Sequence, residues 1–442
     1  MKYIIVGSGP TGLSLAYVLS LNNIDVEIIE SDDKLGGSWN SEWIDNKYFS
    51  ENSPRVYLNS TNINKLISHI GMTKDDFQTI YGNFFEKNYK VVSFIFKYFN
   101  FYDYFIFLFS FFKYTIYTAD ITVNDWFNMS SLSNQGKKAI TIVSILLGDR
   151  PDKTNINDFF GFLSFGTVTQ MKEPNKWRDL IERYLTKKGN VTILKETRVT
   201  GIEQHNSKFT LLVKNTNYGY DDKRMGDKVF LCTQSNGLYP ILVNSSPTIR
   251  NNWMPIDKMK EWSNNTFYSG FGFQLHFDKI VHFKNEWCWS CNGDWTVIIL
   301  PVSNWLKKYS NDPDIKTVWS CCIVDMDTKS KRINKTANEC THDEVIDECF
   351  FQIRDNYKIP SPKITTTSSG LQKINNKWIS KNTGYTKSTY DDLPMKGNID
   401  NLFALGCFTE TSKNHLAFMG GAVDATAHYL DKYEKLYNNI FR

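Results

Sequence analysis

The sequence predicts an α/β fold: a parallel sheet assembled from separated segments and interleaved with a second, α+β unit. Three features carry that prediction. The first is Lys2-Tyr-Ile-Ile-Val-Gly7-Ser8-Gly9-Pro10-Thr11-Gly12, four apolar or aromatic residues running into Gly-x-Gly-x-x-Gly and then into a helical pattern at Leu13, Ala16, Tyr17 and Leu19. The second is a run of short strand patterns between 191 and 233, and the third is a Gly-ended strand followed by a Gly/Ala-rich helix near the C-terminus.

Strand, tight turn and helix is the arrangement in which glycines serve a dinucleotide. Gly7 permits the turn, Gly9 lets backbone approach a pyrophosphate, and Gly12 lets helix and strand pack closely. The amides and dipole of the helix start favour phosphate. Asp25-Val-Glu-Ile-Ile-Glu30 reads as a second strand. It ends in an acid at the spacing of a carboxylate that accepts from ribose hydroxyls. Ser31-Asp-Asp-Lys-Leu-Gly36-Gly37-Ser38-Trp39 follows, with two more glycines suited to close backbone approach.

At this point the chain resembles the flavin-containing amine oxidase superfamily, whose first unit has this order and places a Gly-Gly-Arg segment over the flavin. The resemblance implies a Rossmann-type FAD-binding domain with an interleaved α+β substrate domain. It also implies dissociable, non-covalent FAD, because Gly384 stands in the neighbourhood where some relatives carry a cysteine that attaches the flavin. Ser38 replaces the arginine that supports the diphosphate in relatives. The expected division is 1–55, 166–245 and 395–442 for the FAD domain. Residues 56–165 form a helical part of the substrate domain, and 246–394 its antiparallel sheet and helix.

Residues 56–165 read as mostly helical, and Val91–Tyr117 is dense in Phe, Tyr and Ile. Lys97, Asp103 and Lys113 interrupt it, so a membrane span is disfavoured. The expectation is aromatic helices packed into a core. A helix lying on a membrane, or guarding the way in for a lipophilic substrate, is the alternative. Glu173-Pro-Asn-Lys-Trp177 opens an amphipathic helix through Leu180, Ile181, Tyr184 and Leu185, stopped at Lys187-Lys-Gly189.

Val191–Leu194, Arg198–Ile202, Phe209–Val213 and Lys228–Thr233 read as a strand, a hairpin and a buried strand. The resemblance implies that backbone at Val199 holds the adenine and that the strand ending at Thr233 returns to the cofactor. Tyr268–Phe277, Val281–Cys291, Trp295–Val302 and Thr317–Val324 read as an antiparallel sheet, with Asn292-Gly-Asp294 as a hairpin turn. A helix follows from Asp343. Asn401–Gly406-Cys407 and then Phe418-Met419-Gly420-Gly421-Ala422 close the chain as in the family, where the helix start faces the flavin. Cys407 stands in place of the usual acid or hydroxyl.

The resemblance also implies the chemistry: hydride transfer from substrate to flavin N5, with an aromatic cage over the ring. Phe418 matches one cage position, and Tyr385 is a candidate for the other. Gln274 stands where many relatives hold a lysine, which makes it the candidate catalytic residue. Its other reading is a hydrogen-bonded strand amide. That departure keeps two alternatives open: a desaturase- or isomerase-like enzyme for a bulky apolar substrate, and a non-catalytic flavin-binding structural protein.

The formal charge of +4 on 442 residues is mild and unclustered, which argues against nucleic acid as a partner. Eight cysteines in a chain whose first strand starts at residue 2 predict reduced thiols and a cytoplasmic protein, with membrane-surface association compatible. Cys288-Trp-Ser-Cys291 reads as structural rather than redox-active, since strand residues three apart face opposite ways. Seven scattered histidines predict no metal site.

Overall fold

The computed structural model describes the chain except for residues 53–54, 59, 82–97, 147–149, 165–167, 269, 283–288, 291–292, 381–384, 387–391 and 411–418. Strand β1 (Lys2–Val6) leads into helix α1 (Pro10–Leu21) and strand β2 (Asp25–Ile29). Helices α2 (Phe101–Ile116), α3 (Val123–Met129), α4 (Asn134–Leu146) and α5 (Ile156–Ser164) follow, then α6 (Lys176–Thr186) and β3 (Val191–Leu194). Next come β4 (Thr197–His205), β5 (Lys208–Asn215), β6 (Asp221–Gly226), β7 (Lys228–Leu231) and α7 (Ser235–Val243). The second sheet uses β8 (Phe271–Phe277), β9 (Trp289–Ser290), β10 (Ile298–Leu300), β11 (Thr317–Ile323) and β12 (Ile364–Thr367), with α8 (His342–Asn356) between the last two. Strand β13 (Leu402–Ala404) and helix α9 (Met419–Tyr433) close the fold.

The first sheet has the order β13-β7-β1-β2-β3, and every pairing in it is parallel. Its strands read as continuous apolar runs because both faces are covered. Tyr3 and Ile5 pack with α1, α6 and α9 on one face. Ile4 and Val6 point the other way, into a cluster with Ile202, Phe209 and Leu211 of the antiparallel β4–β6 sheet and Leu238 of α7. The two ends of the chain therefore meet. The Thr11 hydroxyl donates to the Ala422 carbonyl at 3.1 Å, and the Ser14 and Thr426 hydroxyls lie 2.9 Å apart.

The second sheet has the order β9-β10-β11-β8-β12 and is antiparallel. Phe271, Phe273, Leu275 and Phe277 of β8 face α8, whose Val345, Cys349 and Ile353 complete that core. The adjacent thiols of Cys321 and Cys322 alternate, one into this core and the other into the cluster on the opposite face.

Several elements differ from the sequence reading. Strands β6 and β12 are additions; β6 carries Asp-Asp-Lys-Arg, a polar edge with no apolar pattern to reveal it. Of the expected Val281–Cys291 strand, only Trp289–Ser290 pairs among the described residues. Cys288, Cys291 and Asn292 of the proposed dithiol and turn lie outside them. Helices α2–α5 do build an aromatic cluster around Phe107, Trp126, Phe159 and Phe160. However, α2 gives only one face to it. No helix among the described residues is long and apolar enough to cross a membrane.

Candidate functional site

The turn between β1 and α1 opens a cleft of about 380 Å³ at the C-terminal ends of the parallel strands, where ligands bind in open α/β sheets. Gly7 turns with φ at +95°, and its amide is held by the Ile29 carbonyl of the neighbouring strand at 2.9 Å. Pro10 at the first position of α1 has no amide to lose. The glycines differ in what surrounds them. A Cβ on Gly12 would sit 2.1 Å from the Gly7 carbonyl oxygen, so Gly12 is a packing residue. A Cβ on Gly9 would meet nothing within 4 Å, because Gly9 faces the open cleft. The Gly37 segment closes from the other side, near enough for a Cβ there to lie 3.1 Å from the Gly9 Cα. Here two backbones pack directly on each other, and the open cleft in front of Gly9 is a cradle lined by backbone, of the chemistry a diphosphate needs. By this test the residues present fit a dinucleotide such as FAD.

Most of the residues singled out from the sequence line this cleft. From the first segment they are Gly7, Ser8, Gly9, Pro10, Thr11, Glu30, Ser31, Gly37, Ser38 and Trp39. Val199, Thr233, Gly406 and Cys407 line it from the later segments. Gly12, Gly36, Met419 and Gly420 are not part of its lining. Gly36 is held back by its amide bond to the Ser8 carbonyl, and Met419 turns into the core beneath the sheet. The last helix reaches the cleft through Ala422 instead. Phe418 lies outside the described residues, and of Tyr385 only the backbone pairing with Tyr268 is described. Arg198, Gln234, Asn236, Gly237 and Phe408 line the cleft and were missed. Three of them adjoin Val199, Thr233 and Cys407 in sequence, which was the available signal.

Glu30 differs in detail from its expected role. One carboxylate oxygen accepts from the Ser8 amide at 2.8 Å and the Ser8 hydroxyl at 2.6 Å. The other accepts from the Ser31 hydroxyl at 3.2 Å and the Asp32 amide at 3.1 Å. A carboxylate offers about four lone-pair sites, so the chain itself fills them. Glu30 thereby fixes the glycine turn, and a ribose hydroxyl would have to share or displace one of these donors.

Beside the cleft lies a buried polar junction that the sequence did not reveal. Residues 49–52 run against β8, whose alternate side chains address them in turn, as strand periodicity dictates. Gly272 has no room for a Cβ, which would fall 1.7 Å from the Asn52 carbonyl oxygen. The Gln274 amide donates to the Glu51 carbonyl at 2.6 Å and its oxygen accepts from the Glu51 amide at 3.1 Å. His276 Nε2 donates to the Phe49 carbonyl at 3.1 Å. Gln274 therefore pairs with backbone like an added strand residue, is fully buried and does not line the cleft. In this arrangement the amide staples residues 49–52 to the sheet, the hydrogen-bonded strand role that was its other reading.

The Glu51 side chain belongs to the same junction. It accepts from the Ser320 hydroxyl at 2.6 Å and from Arg55 Nη1 at 3.3 Å. Burial pushes its carboxyl up to about 7, and Arg55 offsets only part of that rise. Arg55 Nε in turn donates to the Ser38 carbonyl at 2.8 Å, and Nη1 to the Ser41 hydroxyl at 3.2 Å. A buried guanidinium thus holds the glycine segment through the Ser38 carbonyl.

With this geometry described, the likenesses to known proteins take their place. Residues 5–70 match a family of NAD(P)-binding Rossmann-like domains. No match is found among curated protein sequences. Among solved structures, an oxidoreductase from Methanosarcina mazei superposes with a TM-score of 0.68 at 12% identity, covering 98% of this chain and 100% of that one. Cyclohexylamine oxidase from Brevibacterium oxydans IH-35A gives 0.63 at 13%, covering 98% and 99%. Putrescine oxidase bound to putrescine gives 0.65 at 12%, covering 98% and 100%. The chain has a Rossmann-like unit, and its fold follows these solved structures over 98% of its length. The likeness to these two amine oxidases is one of fold and covers 98% of this chain.

Proposed function

We propose that this protein is an FAD-dependent oxidoreductase that removes a hydride from a small amine or apolar substrate. One observation carries the reading: the open, backbone-lined cleft in front of Gly9 is of the kind that suits a dinucleotide, in a chain whose fold resembles that of cyclohexylamine oxidase over 98% of its length. When bound, FAD supplies a two-electron acceptor.

The chain's own residues have separable tasks in this reading. First-turn amides of α1 and the backbone at Gly37–Trp39 hold the diphosphate, Glu30 fixes the turn, and Val199 borders the adenine end. Thr233, Gly406, Cys407 and Ala422 border the opposite side. Arg55 orients the Ser38 carbonyl from behind, and the β8 face excludes water. Tyr385 and Phe418 remain the proposed substrate contacts.

A second reading, a desaturase- or isomerase-like enzyme for a bulky apolar substrate, is favoured by Gln274. Its uncharged amide is committed to backbone where the related amine oxidases place a lysine. Anaerobic mixing of the FAD-loaded protein with a panel of amines and of lipophilic compounds separates the two. Loss of the yellow absorbance with amines supports the first reading, and loss only with lipophilic compounds supports the second. Protein that takes up no FAD contradicts both.

A further inference from the structure

Helix α2 is aromatic on both faces: Phe107 and Tyr114 turn inward beside two polar side chains, and the opposite face is apolar and exposed. The side chains turned inward include Asp103 and Ser110, whereas the outward face consists of Phe101, Phe105, Leu108, Phe109, Phe112 and Ile116, each 47–71% exposed. A helix facing water presents the opposite pattern. The inward polar groups are satisfied. Asp103 accepts from the Ser133 amide at 2.8 Å and hydroxyl at 2.6 Å, and Ser110 accepts from Trp126 Nε1 at 3.0 Å. A capping box between Asn100 and Asp103 fixes the helix start, with bonds of 3.0 and 2.9 Å. The helix is thus secured by its inward face, through these bonds and the packing of Phe107 and Tyr114 on Phe160, and the outward apolar face is not a by-product of loose packing.

We infer that this face docks on the surface of a phospholipid bilayer, with α2 lying in the interface plane. Its 16 residues span about 24 Å, and the outward rings present on the order of 800 Å² of apolar surface. That exceeds the usual largest patch on a monomer. A protein partner on such an area would bring about four to eight hydrogen bonds. The face offers few groups to make them: the Thr115 hydroxyl donates to the Phe111 carbonyl at 2.6 Å, and the polar groups that remain are phenol hydroxyls at the ends and the Lys113 ammonium on the flank. Tyr102 and Tyr117, both exposed, bracket the Phe, Leu and Ile residues. Aromatic rings with a polar tip take that position at a membrane boundary. Lys113, on the flank, reaches along the helix to within 5.0 Å of the Tyr114 ring centroid and can extend to headgroups. A face that is apolar in the middle, amphipathic at its ends and poor in directional bonds suits a fluid phase better than a shaped partner.

Full-length protein is sedimented with phosphatidylcholine vesicles, with and without a fraction of phosphatidylglycerol. Binding to the neutral vesicles is expected, with anionic lipid adding no more than severalfold. The triple variant Phe105→Ser, Phe109→Ser, Phe112→Ser is expected to lose at least 100-fold in vesicle affinity at an unchanged melting temperature. Phe109→Trp is expected to shift its emission to the blue with vesicles and to be quenched by brominated lipid. No sedimentation of the wild type with either vesicle overturns the inference. So does a dimer in solution that the triple variant dissolves, because a second copy of the chain then covers the face.

Discussion

The nucleotide cleft and the polar junction beside it are built by opposite means. The cleft is made of backbone: its residues are small, its contacts run through amides and carbonyls, and its defining position, Gly9, contributes empty space. The junction is made of side chains, and its members come from far apart in the chain: Glu51 and Arg55 from one stretch, Gln274 from β8, Ser320 from β11. The first tolerates change wherever a ligand is absent. The second is close-packed and ionic, where losing one partner strands another. Substitutions in the two regions should therefore separate binding from folding.

The largest effect is expected at Gly272→Ala. A Cβ within 1.7 Å of the Asn52 carbonyl oxygen forces residues 49–52 off the sheet. The variant should lose more than about 4 kcal/mol, beyond ordinary overpacking, or fail to fold. A melting temperature near wild type would show that this segment does not depend on the sheet. Next is Arg55→Ala, which leaves the buried Glu51 carboxylate without its cation and the Ser38 carbonyl without its donor. A loss of about 3–5 kcal/mol in denaturant unfolding is expected, together with weaker FAD retention. Arg55→Lys should recover part of the stability and less of the FAD affinity, since one ammonium cannot hold Ser38 and Glu51 in a fixed fork.

What the sequence disclosed follows the same division. Glycine spacing and apolar runs are local, and they placed the turn, the parallel strands and the closing Gly/Ala helix. Fourteen of the named cofactor positions line the cleft because a backbone site has to be written into contiguous residues. The junction has no such record. Glu51 and Arg55 look like surface residues in sequence, and only the fold shows them beside Ser320 and Gln274. Yet the alternation Phe271-Gly-Phe-Gln-Leu-His-Phe277 held part of the answer. Its large apolar residues line one core, and Gly272, Gln274 and His276 read the backbone of 49–52. Reading that stretch for its two faces would have marked Gln274 as a staple. The outward face of α2 stood only as the alternative to a packed core for a related reason: hydropathy gives composition, and composition does not say which side of a helix finds a partner.

A smaller effect concerns pH. Glu51 ionises near its ordinary 4.5 in the unfolded chain but near 7 when folded. The fold therefore favours the protonated form, and the stability this contributes is complete below 4.5 and is lost as pH rises through about 7. His276 works the other way. Burial lowers it from 6.5 to about 4, so its contribution is complete above 6.5 and is lost as pH falls through about 4. Comparing wild type with Glu51→Gln across pH 4.5–7 isolates the first effect. The wild type should lose about 1–3 kcal/mol relative to the variant over that window. Parallel curves would mean that the carboxylate is fully neutralised by Arg55 after all.

The smallest effect on stability and the largest on binding should come from the same residue. Gly9→Val places its side chain in open cleft and should change the stability of the cofactor-free protein by less than about 1 kcal/mol. Titrating FAD into wild type and Gly9→Val, followed by quenching of flavin fluorescence, is the most direct test of the cradle. One equivalent binding to wild type, with affinity reduced at least 100-fold in a folded Gly9→Val, is the predicted result. Equal binding by both proteins, or none by either, would contradict it.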